Sequence, residues 1–454
     1  MDISNLTKGT SYYYKVTSVK SNGTESNKST ATGATQALRG LYITTGGSDS
    51  NNGYSASKGL ATIKEAVTDA ATGDTIYVKA GTYTFSSSSD GNISIDGSKN
   101  LVIKGDGSGT TIIDANQKNR HFYFPANSGS TLLDTTFKIM DITLKNGRPS
   151  SVDNGGSVYM YGHWSTNKYV GHGPLFQNVV FESNQTKWST NDSYKYGGAV
   201  YNSNGGAPYL RDVTFKYNFS DNRGGAVAFQ NIDTTKTVHF ERIVFIGNYL
   251  KDDNNESYKQ GAAVYLSGYG GAVFEKTVFD SNYIAINGDC CTNNGAAIYS
   301  TSNYDSLIVR NSKFRYNKVY KATSGSDGGE AHGAAMKIES GRGDILITNS
   351  LFEGNTAEGA YESWTGGGTN REAKGGALNI QLQYWYSSGT YNKPYKTVLA
   401  NNTFVNNKAL GSGTDQGRGG AVLFHYAQYA ICLLYTSDAA DDTPCVDLGG
   451  RRII

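Results

Sequence analysis

Two short motifs alternate along most of this chain, and that alternation restricts its fold more than any other property. The first is a small-residue turn leading into an apolar pair: Gly155-Gly-Ser-Val-Tyr159, Gly197-Gly-Ala-Val-Tyr201, Gly224-Gly-Ala-Val-Ala228, Gly261-Ala-Ala-Val-Tyr265, Gly295-Ala-Ala-Ile-Tyr299, Gly333-Ala-Ala-Met-Lys337, Gly375-Gly-Ala-Leu-Asn379 and Gly419-Gly-Ala-Val-Leu423. The second is Phe-x-x-Asn: Phe181/Asn184, Phe215/Asn218, Phe245/Asn248, Phe279/Asn282, Phe314/Asn317, Phe352/Asn355 and Phe404/Asn407. A supersecondary unit repeated this way cannot bury its apolar face alone, so the units must stack.

Each unit holds apolar runs of period two, such as Val213-Thr-Phe215 and Ala199-Val-Tyr201, which is strand patterning without intervening helical periodicity. The leading glycine suits a turn with positive φ, and the small residues after it let coils approach closely. Phe points inward onto the Phe of the next coil. Asn is expected at the turn itself, in left-handed geometry, with its amide joining a ladder. The arc from Gly to Phe is nearly constant (Gly197 to Phe215, Gly261 to Phe279, Gly295 to Phe314, Gly333 to Phe352), whereas Asn to the next Gly ranges widely (Asn218 to Gly224, Asn355 to Gly375). These spacings predict a parallel β-helix whose insertions collect at one corner and make a binding edge. A propeller blade would need four strands and antiparallel turn signals in each unit.

Over Phe137 to Gln428, the alternating motifs resemble the polymorphic outer-membrane protein repeat of surface-displayed β-helices. Upstream, Leu41-Tyr-Ile-Thr-Thr-Gly46-Gly-Ser-Asp49 leads into Ala61–Ala70, where Ile63, Ala66, Val67 and Ala70 follow helical spacing; Thr75–Tyr83 then reads as the first strand. This stretch resembles the N-terminal entry of the pectate-lyase-like superfamily. The resemblance implies an all-β, right-handed parallel β-helix with a short helix covering its open end, where core and strand edge would otherwise be exposed. The expected organisation is a cap with irregular coils over 40–136 and regular repeats over 137–431.

Both ends read differently. Residues 1–36, with Tyr12-x-Tyr14-x-Val16-x-x-Val19, resemble the last two strands of a fibronectin type III domain, so Met1 is expected to mark an internal or artificial start without a signal peptide. Residues 432–454 resemble, codon for codon, a translated sequencing adapter and flow-cell primer, and are expected to be foreign to the fold. The natural chain is then expected to run on, with its cap and any anchor beyond this point. Of the cysteines, Cys432 and Cys445 fall in that tail; Cys290 and Cys291 are adjacent and expected to be free thiols, since a bond between neighbours is strained.

Net charge is +2 over 454 residues, which argues against nucleic-acid or acidic-membrane partners, and no apolar run is long enough for a transmembrane helix. The tryptophans all lie outside the repeat motifs. Trp164, Trp188, Trp364 and Trp385, with Tyr194, Tyr196 and Tyr384, are the candidate ligand-binding residues, since aromatics on a rigid edge stack on sugar rings; the alternative is that they pack as small satellite cores. Asp252, Asp253 and Glu256 are candidate oxygen ligands for calcium, without the spacing of a known calcium loop. His163 and His172 bracket Trp164 and can act on a substrate or be satisfied surface histidines; Arg342-Gly-Asp344 is an adhesion-like tripeptide.

The superfamily's lyases pair calcium-binding aspartates with a Lys or Arg base, and its glycosidases pair carboxylates; neither set matches this sequence residue by residue. Two functions follow: a secreted or surface-anchored, adhesin-like monomer that binds a polysaccharide or a host or cell-surface glycan, or a carbohydrate-active enzyme, a polysaccharide lyase or glycoside hydrolase on acidic polysaccharide. A bare stalk would not carry aromatic loops.

Overall fold

The computed structural model describes residues 11–15, 17–30, 32–35, 40–126, 131–165, 168–187, 195–251, 259–286, 293–301, 305–321, 330–339, 343–359, 372–381, 396–411, 417–425, 430–433 and 446–447. From Gly40 onward the ladders are parallel, apart from one short hairpin and an isolated bridge, and each strand bonds to its counterpart one coil away. This is a right-handed parallel β-helix, the hand that parallel crossovers overwhelmingly take.

One coil shows the circuit. Val264–Gly268 lies in sheet 1, which follows the glycine turn; Gly271–Glu275 lies in sheet 2; Val278–Asp280, carrying Phe279, lies in sheet 3; Tyr283–Ile286, after Asn282, lies in sheet 4. The chain then returns through Asn293–Asn294 to Gly295 and the next sheet 1 strand, Ile298–Thr301. Registers are in step throughout: Val264 pairs with Ile298, Phe279 with Phe314 and Tyr283 with Lys318. In the first regular coils, Lys138–Lys145 and Leu175–Glu182 run unbroken through sheets 2 and 3.

Two columns run through the core. Phe181, Phe215, Phe245, Phe279, Phe314, Phe352 and Phe404 stack with centroids 4.7–4.9 Å apart and planes within 10°, close to the strand spacing that imposes them. Beside them the asparagines form a continuous ladder. Asn282 Nδ2 donates to Asn317 Oδ1 (3.0 Å) and to the Phe245 carbonyl (3.0 Å), while its own Oδ1 accepts from the Asn248 backbone N–H (3.1 Å) and side-chain amide (3.0 Å). Asn184 to Asn355 are wholly buried, so the ladder satisfies backbone groups that water cannot reach.

The ladder corrects one expectation. The asparagine itself is not left-handed; the residue before it is, as at Ser183, Tyr217, Gly247, Ser281, Tyr316, Gly354 and Asn406. The turn residue presents its side chain outward, which frees the following Asn to point inward. Each regular coil adds two more left-handed corners, one between sheets 2 and 3 (Arg242, Lys276, Asn311) and one at the motif glycine. At Gly261 (φ 68°) a Cβ would stand 2.1 Å from the Val264 carbonyl oxygen, so no larger residue fits.

The predicted helix is present as Ile63–Asp69, capped by Thr62 Oγ1 accepting from the Glu65 N–H, with Ile63, Ala66 and Val67 buried on the core. Thr75–Val78 is not the first strand: Gly40–Ile43 already pairs with it in parallel, and Ile43 bridges Leu60. The period-two run from Leu41 has the burial to join the sheet, and it does. Outside the solenoid, Ser11–Tyr14 pairs antiparallel with Thr32–Thr35. At the other end the sheet 2 ladder extends to Ala430–Leu433, which pairs with Thr397–Ala400, beyond the last repeat motif.

Candidate functional site

The insertions fall at two corners rather than one. Chain is inserted after sheet 4, between Lys187 and Lys195, Lys251 and Lys259, Ile286 and Asn293, Lys321 and Glu330, and Glu358 and Glu372. It is also inserted after sheet 1 in two coils, between Met160 and Leu175 and between Gln381 and Lys396. The second corner is silent in the arcs Gly197 to Phe215, Gly261 to Phe279, Gly295 to Phe314 and Gly333 to Phe352, and shows in the longer arcs Gly155 to Phe181 and Gly375 to Phe404. Both corners border sheet 1, so its outer face is the floor between two lines of insertions.

That floor departs from the repeat. Residue five of each glycine motif points outward: Tyr159, Tyr201, Ala228, Tyr265, Tyr299, Lys337, Asn379, Leu423. The first part is paved with tyrosine. Tyr159 and Tyr201 lie 5.0 Å apart, and Tyr265 stacks on Tyr299 at 5.7 Å. Where Ala228 leaves no ring, Tyr196 enters from the preceding corner, 5.9 Å from Tyr201 and 6.2 Å from Tyr265. Arg223 lies over both Tyr196 and Tyr265 (5.4 and 5.1 Å) and donates to the Tyr265 hydroxyl (3.2 Å); Arg120 covers Tyr159 and is ion-paired with Asp153. Burial raises the phenol pKa of Tyr159, Tyr201 and Tyr299, so these rings are neutral donors at any physiological pH.

The second part is charged. Lys337 is buried, and its Nζ donates to Gln381 Oε1 (2.8 Å) and Asn379 Oδ1 (3.2 Å) with Glu339 Oε1 at 3.4 Å. Glu339 Oε2 accepts from the Tyr299 hydroxyl (2.5 Å), joining the two parts. His332 faces Glu330 (3.3 Å), and Glu372 holds both Lys374 and Arg418. Burial pulls Lys337 down to about 8, partly opposed by Glu339. His425 is pushed down to about 4, by burial and then by the cations Lys337 and Lys374 around it; burial also lowers His332.

Of the residues expected to bind, two fall in the described structure. Trp164 sits on a hairpin, His163–Ser165 paired with Lys168–Val170, rising from the corner after sheet 1, and is 57% exposed. Tyr196 is in the tyrosine pavement, part of a satellite cluster with Tyr159, Tyr201, Tyr265 and Tyr299. Trp188, Tyr194, Trp364, Tyr384, Trp385, the candidate calcium ligands Asp252, Asp253 and Glu256, Cys290, Cys291 and Arg342 lie outside the described residues. His172 is corrected: it is buried, its Nδ1 accepts from the Leu133 N–H (3.0 Å) and its Nε2 meets the Pro125 carbonyl (3.0 Å), so it clamps backbone rather than facing substrate. Among the described residues no three His, Cys, Asp or Glu side chains are grouped to hold a metal.

The site residues that sequence reasoning missed are Lys337, Asn379 and their neighbours. Their signal was visible as the motif copies in which tyrosine is replaced, but those positions read as scaffold.

No protein-family model and no curated protein matches the chain. Among solved structures, it is similar to a mannuronic-acid-specific polysaccharide family 6 lyase from the human gut microbiota, at 13% identity and a TM-score of 0.33 over 80% of this chain and 78% of that one. It is also similar to the Yersinia enterocolitica family 28 exopolygalacturonase, at 10% identity and a TM-score of 0.26 over 97% and 85%.

Proposed function

We propose that this is an extracellular or cell-surface β-helix, adhesin-like, that binds polysaccharide along the outer face of sheet 1. The observation that carries the reading is the coincidence of that face with both lines of insertions. The outward row of sheet 1 changes from ring to charge to amide along its length and lies where added chain can wall a groove. Its partly open groups suit a sugar polymer, the Tyr159 and Tyr196 rings, the Gln381 amide and the Glu339 carboxylate, with the buried Tyr201, Tyr265 and Tyr299 packed behind them. Trp164, at the groove's edge, supplies a stacking platform. No helix among the described residues is long and apolar enough to cross a membrane.

Binding is favoured over catalysis by the state of the best-placed basic group. The Lys337 side chain is 1% exposed and held by three neighbouring side chains, so it is closed in rather than presented to substrate as a base. The test is to incubate the full chain with neutral and acidic polysaccharides, with and without calcium, following retention and the ultraviolet absorbance of unsaturated uronate. Retention without absorbance growth is expected, weakened by Trp164→Ala. Growth of absorbance would overturn the reading in favour of a polysaccharide lyase, and release of reducing sugar without it would favour a glycoside hydrolase.

A further inference from the structure

Lys337 and Asn379 hold the same register on neighbouring strands, Met336–Glu339 and Leu378–Gln381. Both are closed off from water, at 1% and 0% exposure, and the lysine Nζ lies 3.2 Å from the asparagine Oδ1. A carboxylate, Glu339, stands 3.4 Å from that nitrogen and is fixed by the Tyr299 hydroxyl on its other oxygen. An amine and a carboxamide are thus held together away from water beside a proton carrier that is partly open to it, and the glycan-binding reading uses none of them chemically.

We propose that Lys337 and Asn379 join in an intramolecular isopeptide bond that staples two coils together, with Glu339 as the proton carrier. The unprotonated Nζ attacks Cγ of Asn379. Glu339 takes a proton from the attacking nitrogen and returns it to the departing Nδ2, which leaves as ammonia. One C–N bond forms and one breaks, with no oxidant, reductant or activated co-reactant. Desolvation supplies the nucleophile, since burial disfavours the ammonium form and brings Lys337 down to about 8. Held in register, the two groups react as one molecule, which removes the entropic cost of bringing an amine to an unactivated amide. Asn379 rather than Gln381 is assigned as the acceptor, because it is in register and fully buried whereas Gln381 is partly open to water.

The experiment is intact-mass measurement of the full folded chain, followed by peptide mapping. The expected result is a mass lower by about 17 Da, one ammonia, with a branched peptide joining the segments around Lys337 and Asn379. Glu339→Gln is expected to fold and to retain the ammonia. Asn379→Asp is expected to lose water instead, about 18 Da, through the same bond. Lys337→Met is expected to lose nothing and to melt several degrees lower. A wild-type chain that keeps its full sequence mass after prolonged incubation near pH 8 overturns the proposal. So does a link mapped to Gln381, and unimpaired linkage in Glu339→Gln removes Glu339 from it. Because the wild-type mass decides by itself, failure of a variant to fold leaves the test intact, and the result is independent of whether any glycan binds.

Discussion

The column inside sheet 3 and the row outside sheet 1 are built from the same coils in the same register, yet they obey opposite rules. Inside, Phe and Asn recur because each coil presents the same cavity and the same unpaired backbone groups to its neighbour. Outside, Tyr gives way to Ala, Lys, Asn and Leu at one position. In a solenoid, equivalent positions have equivalent surroundings, so a scaffold role makes them alike. The sheet 2 core row varies only among apolar residues (Phe176, Leu210, Phe274, Val309, Ile347), whereas the sheet 1 row changes from ring to charge to amide, a change that core packing does not ask for.

That contrast can be broken by experiment. Phe279→Ala removes one ring from a stack with neighbours on both sides and is expected to cost about 4 kcal/mol in denaturant unfolding, with glycan retention per folded molecule unchanged. Asn282→Ala strands the Phe245 carbonyl and the Asn248 N–H in a dry interior and is expected to cost about 3 kcal/mol, again without altered retention. Loss of retention at full stability in either variant would erase the distinction.

Acid should act through the interior. His121 and His172 are held neutral by burial, both depressed from 6.5 to about 4. The unfolded chain takes up protons below 6.5 while the native chain does not, so stability is complete above that pH and falls as pH drops toward 4. The expected loss by pH 5 is about 2 kcal/mol for each histidine. His172→Gln should flatten the dependence of the urea midpoint between pH 7 and pH 5. His425→Gln should leave it nearly unchanged, because His425 is about half exposed and solvent screens it. A larger effect at His425 would place acid sensitivity on the outer face instead. The smallest stability effect belongs to Trp164→Ala, within about 0.5 kcal/mol, accompanied by roughly tenfold weaker retention, equivalent to about 1.4 kcal/mol.

The solenoid was legible because its signal is repetition: Phe215 and Phe245 announce each other from a distance, and the helix spacing of Ile63, Ala66 and Val67 is local. The site was less legible for the same reason. Lys337 occupies a motif position, and its partner Asn379 lies a full coil away, so only the register brings them into contact. The displaced left-handed corner was missed because Asn has two talents, tolerance of that backbone and amide laddering, and the coil uses only the second. His172 read as a surface residue because a loop histidine shows its burial only when Leu133 and Pro125 close around it.

The ladder has a mechanical consequence. Each coil is bonded only to the one before and the one after, so a pull along the axis loads the interfaces in series, and the molecule is as strong as its weakest junction rather than the sum of them. Such a rod yields by peeling coil by coil, in a sawtooth of small force drops. A covalent tie between the strands at Lys337 and Asn379 would carry the load past the chain between them, so that coil would not be drawn out and one step of the sawtooth would be missing.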